Sequence, residues 1–92
     1  MKILVIGGTR FLGRFIVEEA LKQGHEVTMF NRGNHVDVFP QVECIVGDRN
    51  KDLYLLEAGK WDVAIDTCGF TPKALAESTR VLADKVDHYT FI

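Results

Sequence analysis

The stretch VIGGTRFLGRF, Val5 to Phe15, decides how this chain is read. An apolar run ends in Gly7 and Gly8, and a third glycine, Gly13, follows within the next turn or two of chain. Glycines placed this way between a strand and a helix make a phosphate-binding turn, because backbone N–H groups and the helix N-terminus together favour an anion. Gly7 allows the tight turn, Gly8 keeps side chains away from a ligand, and Gly13 lets the helix pack closely on the strand. Arg10 stands where a dinucleotide fingerprint usually has its middle glycine. Three readings follow: a diverged dinucleotide turn, a P-loop, or a plain strand–helix turn. The P-loop needs GxxxxGK[ST], and Gly8 to Gly13 has that spacing. Arg14 and Phe15 replace its lysine and hydroxyl, so there is no magnesium ligand and no case for nucleotide hydrolysis.

Working outward, Lys2–Ile6 is a short β-branched run that suits a strand buried on both faces. Phe11 to Gln23 changes to a helical period, with Leu12, Ile16, Val17, Ala20 and Leu21 on one face and Arg14, Glu18, Glu19 and Lys22 outside it. Gly24 is placed to stop that helix. Glu26–Phe30 is a second strand, and Asn31 to Pro40 a polar loop. Val42–Val46 is a third strand, closed by Gly47-Asp48. Asp52 to Ala58 reads as a short helix carrying Leu53 and Leu56 inward, with Leu55 a further candidate. Trp61–Cys68 is a fourth strand. Thr71-Pro72 starts another helix, threonine as N-cap and proline at the first position. It runs to about Ala83, with Leu75, Thr79 and Leu82 on its inner face. His88–Ile92 is a fifth strand. Strands alternating with helices predict an α/β, Rossmann-type doubly wound parallel sheet of about five strands in order 3-2-1-4-5. The chain stops inside a strand, so it reads as a truncated, N-terminal part of a longer protein, with residues 1–92 forming one dinucleotide-binding domain.

Composition sets the outer bounds. The chain has 92 residues, 47% hydrophobic and 26% charged, as in an ordinary soluble domain. A net charge of −2 gives no electrostatic argument for nucleic acid or an anionic membrane. No apolar run approaches the ~20 residues that span a bilayer, and the start is too short for a signal peptide, so a cytoplasmic location is expected. Cys44 and Cys68 have neither CxxC spacing nor a histidine cluster, which argues against metal and for small packed thiols. His25, His35 and His88 have no ligand spacing and receive no role.

The end of the second strand matters for the ligand. About 20 residues beyond the loop, an acidic residue would take the ribose hydroxyls of NAD. The sequence there is Phe30-Asn31-Arg32 instead. Asn31 can hydrogen-bond a ribose, and Arg32 and Arg10 suit a 2′-phosphate. The balance favours NADP over NAD and leaves both open.

VIGGTRFLG, followed by GHEVTMFNRG, VGDRNKD, WDVAIDTCGF and HYTFI, resembles the N-terminal part of the NAD-dependent epimerase/dehydratase family, the extended or atypical branch of the short-chain dehydrogenase/reductases. The resemblance covers essentially the whole chain. Its departures are Arg10 for the middle glycine, Asn31 for the acidic residue, and DTCG where many members are alanine-rich. It implies that Gly7, Gly8, Thr9, Arg10, Phe11, Leu12 and Gly13 surround a pyrophosphate, and that Asn31 and Arg32 meet the adenosine ribose or its phosphate. It further implies that Asp48 and Arg49 contact the adenine edge, and that Thr67, Cys68 and Gly69 lie along the cofactor. Whether Asp66 touches ligand is left open.

The family's chemistry requires a tyrosine with a lysine four residues later, and a serine or threonine after the fifth strand. Tyr54 is followed at that distance by Ala58, and Tyr89 lies too near the end. No catalytic residue is assigned, and the 92 residues are expected not to turn over a substrate. The parent would act on a nucleotide sugar or another carbonyl or alcohol substrate. Alternatives are a non-enzymatic NADP-binding sensor or RNA-associated module, and a bare structural fragment that binds nothing. The last strand, an uncovered apolar edge, predicts self-association.

Overall fold

The computed structural model describes residues 1–7, 11–31, 42–48, 51–67 and 72–91, with backbone alone at Phe11, Leu12, Pro72, Ala74 and Leu75. Strand β1 (Lys2–Ile6) leads to helix α1 (Phe11–Lys22), then β2 (Glu26–Asn31) and β3 (Glu43–Val46). A 3-10 helix (Leu53–Ala58) precedes β4 (Val63–Asp66), helix α2 (Pro72–Leu82) and β5 (His88–Phe91). The five strands form one sheet in the order β3-β2-β1-β4-β5, as expected from the alternation. Every pairing is parallel, with Ile6 opposite Phe30 on one side and Asp66 on the other.

Each helix ends or begins where local chemistry dictates. At the end of α1, the Gly24 N–H donates to the Leu21 carbonyl at 3.0 Å and the His25 N–H to the Ala20 carbonyl at 3.0 Å. That is a Schellman turn, with Gly24 at φ 82. Pro72 opens α2, where its missing N–H would have had no helical partner anyway. Thr71, read as the cap, lies outside the described residues.

Alternation along the strands sends side chains to two faces. Ile3, Val5, Val27 and Met29 meet Val17 and Ala20 of α1. On the other face, Leu4, Ile6, Phe30 and Ala64 meet Leu53 and Leu56 of the 3-10 helix and Val81 and Leu82 of α2. Each fully buried side chain of this kind contributes roughly 1.5–3 kcal/mol.

Two inward assignments change. Leu53 and Leu56 are buried but Leu55 is exposed, because three residues per turn put positions 53 and 56 on one side. On α2, Thr79 is exposed and its hydroxyl donates to the Ala76 carbonyl at 3.0 Å, while Ser78 is fully buried. The helix is rotated so that 78, 81 and 82 form the inner stripe. Leu82 is inward as expected; the side chain of Leu75 lies outside the description. The strands also shift at their ends. β2 reaches Asn31, which pairs with Val46, and β4 is shorter than the sequence suggests.

Candidate functional site

In an open parallel sheet, ligands bind beyond the carboxyl ends of the strands, where the strand order reverses. Here the reversal lies between β1 and β4. The residues that follow those ends are Gly7 after β1, Gly47 and Asp48 after β3, and Thr67 after β4, beside Asn31 at the end of β2.

The strand ends are stitched together one step past the ladder. The Gly7 N–H donates to the Phe30 carbonyl at 2.8 Å, the Gly47 N–H to the Asn31 carbonyl at 2.7 Å, and the Thr67 N–H to the Ile6 carbonyl at 3.0 Å. The Thr67 hydroxyl donates to the same Ile6 carbonyl at 2.8 Å. Thr67 is therefore folded back onto β1, and the mouth of the β1–β4 crevice is held by two bonds to one oxygen.

Gly7 has φ 96, in the left-handed region that a side chain rarely enters. The glycine thus takes a conformation that suits the tight turn the sequence suggested at the end of β1. Gly13 is buried within the first turn of α1. Gly8, Thr9 and Arg10 lie outside the described residues, as do Arg32, Arg49, Cys68 and Gly69; for Phe11 and Leu12 only the helical backbone is described.

Asn31 is half-buried and held at both ends of its amide. Its Nδ2 donates to the Gly7 carbonyl at 3.2 Å, and its Oδ1 accepts from the Cys44 thiol at 3.5 Å. Burial pushes the Cys44 thiol's pKa above its ordinary value. Cys44 forms no disulfide. The linear sequence marked it only as a small packed thiol, with no link to Asn31. The signal lay in the register: Asn31 pairs with Val46, and Cys44, two residues earlier, falls on the same face of the sheet.

Asp48 sits in a turn closed on itself. Its N–H donates to Asp52 Oδ2 at 2.8 Å, and the Asp52 N–H donates back to the Asp48 carbonyl at 2.7 Å. Gly47 has no room for a side chain: a Cβ there would stand 2.9 Å from Asp52 Cβ and 3.0 Å from the Phe30 ring. The close approach sets Asp48 beside the end of β2. Asp66 is fully buried on the α2 face, where Oδ2 accepts the Tyr89 hydroxyl at 2.5 Å, tying β5 to β4 beneath the site. Among the described residues, no group of three or more His, Cys, Asp or Glu could hold a metal ion, and no helix is long and apolar enough to cross a membrane.

The sequence profile of the NAD dependent epimerase/dehydratase family matches residues 3–72. The chain belongs to this family. Within reach of that assignment, the chain is 37% identical over 94 aligned positions to eugenol synthase 2 of Clarkia breweri, an alignment covering 89% of this chain and 30% of that protein. It is 41% identical over 52 positions to the chloroplast stem-loop binding protein of 41 kDa b of Arabidopsis thaliana, covering 56% of this chain and 13% of that protein. The fold matches the Bordetella bronchiseptica enzyme WbmG, solved in complex with NAD, with TM-score 0.82 at 20% identity over 99% of this chain and 36% of that one. The chain thus spans about a third of the length of relatives such as eugenol synthase 2.

Proposed function

We propose that this chain is the dinucleotide-holding part of a reductase or epimerase/dehydratase, and that it takes NADP in preference to NAD. The observation that carries the reading is the convergence of Gly7, Asn31, Asp48 and Thr67 at one sheet edge, with Gly7 at φ 96 leading into α1. The residues fit such a ligand. The first N–H groups of a helix lack helical partners and suit a pyrophosphate, and Gly7 to Gly13 lead into them. Asn31, with Arg32 next in sequence, would hold the adenosine ribose and its 2′-phosphate. Asp48 and Arg49 would meet the adenine, and Thr67, Cys68 and Gly69 would line the path toward the nicotinamide. Bound, the cofactor supplies or accepts a hydride. The chain's own contribution is to bind and orient it. The 92 residues contain no tyrosine followed four residues later by lysine, so they hold the cofactor without supplying the proton donor.

The substrate of the whole protein is proposed as a carbonyl or alcohol compound, nucleotide sugars included. The similarity to a protein named as a reductase, phenylcoumaran benzylic ether reductase POP1 of Populus trichocarpa, 36% identical over 94 positions, supports a reductase among these. A cytoplasmic setting agrees with a thiol, Cys44, that forms no disulfide.

Calorimetric titration of NADP and NAD into the chain tests the reading. Binding of NADP at least severalfold tighter than NAD is expected; no heat from either at millimolar concentration overturns it. Replacing Arg32 by Asp should reverse the preference toward NAD, and an unchanged preference removes Arg32 from the phosphate site.

A second reading rests on one observation, the 41% identity to a stem-loop binding protein. It makes the chain a non-enzymatic binding module. The net charge of −2 weighs against it, because RNA affinity rests on cationic contacts with phosphates. Retardation of an RNA stem-loop that weakens steeply with salt would support it. The β5 edge leaves Phe91 exposed, and exposed apolar edges pair. Concentration-dependent self-association is therefore expected in sedimentation equilibrium; a monomer at high concentration overturns that part.

A further inference from the structure

We infer that Cys44 is a positioning residue: its thiol holds the Asn31 side-chain amide in the orientation that receives the ribose end of a dinucleotide, and so helps set cofactor affinity. The inference rests on the dinucleotide reading above. Asn31 ties three strands at their carboxyl ends. Its Nδ2 reaches the Gly7 carbonyl of the β1 turn at 3.2 Å, its backbone carbonyl takes the Gly47 N–H at 2.7 Å, and its Oδ1 takes the Cys44 thiol of β3 at 3.5 Å. An amide has two ends, and a half-turn about its last bond exchanges them. With the ends exchanged, Oδ1 would face the Gly7 carbonyl oxygen, a repulsive contact, and the thiol would lose its carbonyl acceptor and be left as a weak acceptor of Nδ2. Cys44 therefore supports the same orientation that Gly7 selects, from the opposite side.

The thiol must be a donor for this. Its partial burial among α1-face residues shifts it toward the protonated form. Alanine at position 44 would remove the thiol's hydrogen bond to Oδ1. Serine would keep a donor in place on a similar side chain. The difference between those two variants separates hydrogen bonding from mere filling of space.

The experiment is titration of NADP and NAD into the wild type, Cys44→Ala, Cys44→Ser, Asn31→Ala and the Cys44→Ala/Asn31→Ala double variant, with thermal midpoints recorded for each. Cys44→Ala should weaken the dinucleotide by about three- to fivefold, the size of one neutral hydrogen bond. Cys44→Ser should stay near wild type. In the Asn31→Ala background, Cys44→Ala should cost nothing further, which is the signature of an effect carried through that amide. Should an alanine variant fail to fold, capping Cys44 with a small methanethiosulfonate, compared before and after in a Cys68→Ala background, gives the same loss of a donor. Equal losses in the alanine and serine variants, or the same loss with and without Asn31, overturn the inference alone. A wild type that binds neither dinucleotide overturns the dinucleotide reading and this inference with it.

Discussion

On the α1 side of the sheet, Ile3, Val5, Val27 and Met29 meet Val17 and Ala20, and that buried cluster is apolar throughout. On the α2 side, Leu4, Ile6, Phe30 and Ala64 form an equally buried cluster, but Asp66 and Ser78 are buried there too. On the first side the polar tie, Cys44 to Asn31, is only half-buried and lies at the margin of the apolar cluster. On the other side the tie, Tyr89 to Asp66, ends on a fully buried carboxylate beneath the carboxyl end of β4. The contrast follows from position. A buried carboxylate is tolerated only with partners, and β5 brings one.

The comparison can be broken in several places. Phe30→Ala should be the most damaging, at about 4 kcal/mol in denaturant unfolding, because it empties a fully buried ring on the α2 side. It would also unseat the wall of Gly47, so dinucleotide affinity should fall together with stability. Val5→Thr tests whether the α1 side is as intolerant of polarity as its composition implies. It keeps the shape, adds a hydroxyl to an apolar cluster, and should cost about 2 kcal/mol. A loss under half of that would mean the hydroxyl finds a partner on the α1 side, and the two sides would differ less than they look.

Tyr89→Phe removes one donor from the buried Asp66 and should cost about 1–2 kcal/mol in the same assay. An unchanged stability would show that the polar tie is not what holds β5. Thr79→Ala should be the smallest effect, within about 0.5 kcal/mol, since the residue is exposed. A loss as large as that of a buried residue would restore Thr79 to the inner stripe and contradict the rotation of α2 seen here.

Much of the fold was legible in the chain because its signals are local. The glycines at 7 and 24, the apolar run of β1 and the change of period in α1 each act within a few residues, and each element formed where its pattern lay. α2 was harder. Small polar residues at 78 and 79 leave the apolar stripe undefined by one position, and only docking against the sheet decides which of them turns inward. The same ambiguity explains Leu55, since three or 3.6 residues per turn cannot be told apart over six residues.

At the candidate site, Gly7 and Asn31 could be named from spacing and Asp48 and Thr67 from the family resemblance, since each ends or follows a strand and a parallel sheet must bring such ends to one edge. Cys44 and Tyr89 could not. Each acts on a residue of a neighbouring strand, Cys44 on Asn31 and Tyr89 on Asp66, and those contacts depend on strand register. By itself, then, the sequence determined the elements, their order and the residues that close each strand, since these rest on short-range sterics and periodicity. The tertiary structure alone decided which side chains meet across strands and which face of α2 turns inward, because those choices depend on the packing of segments far apart in the chain.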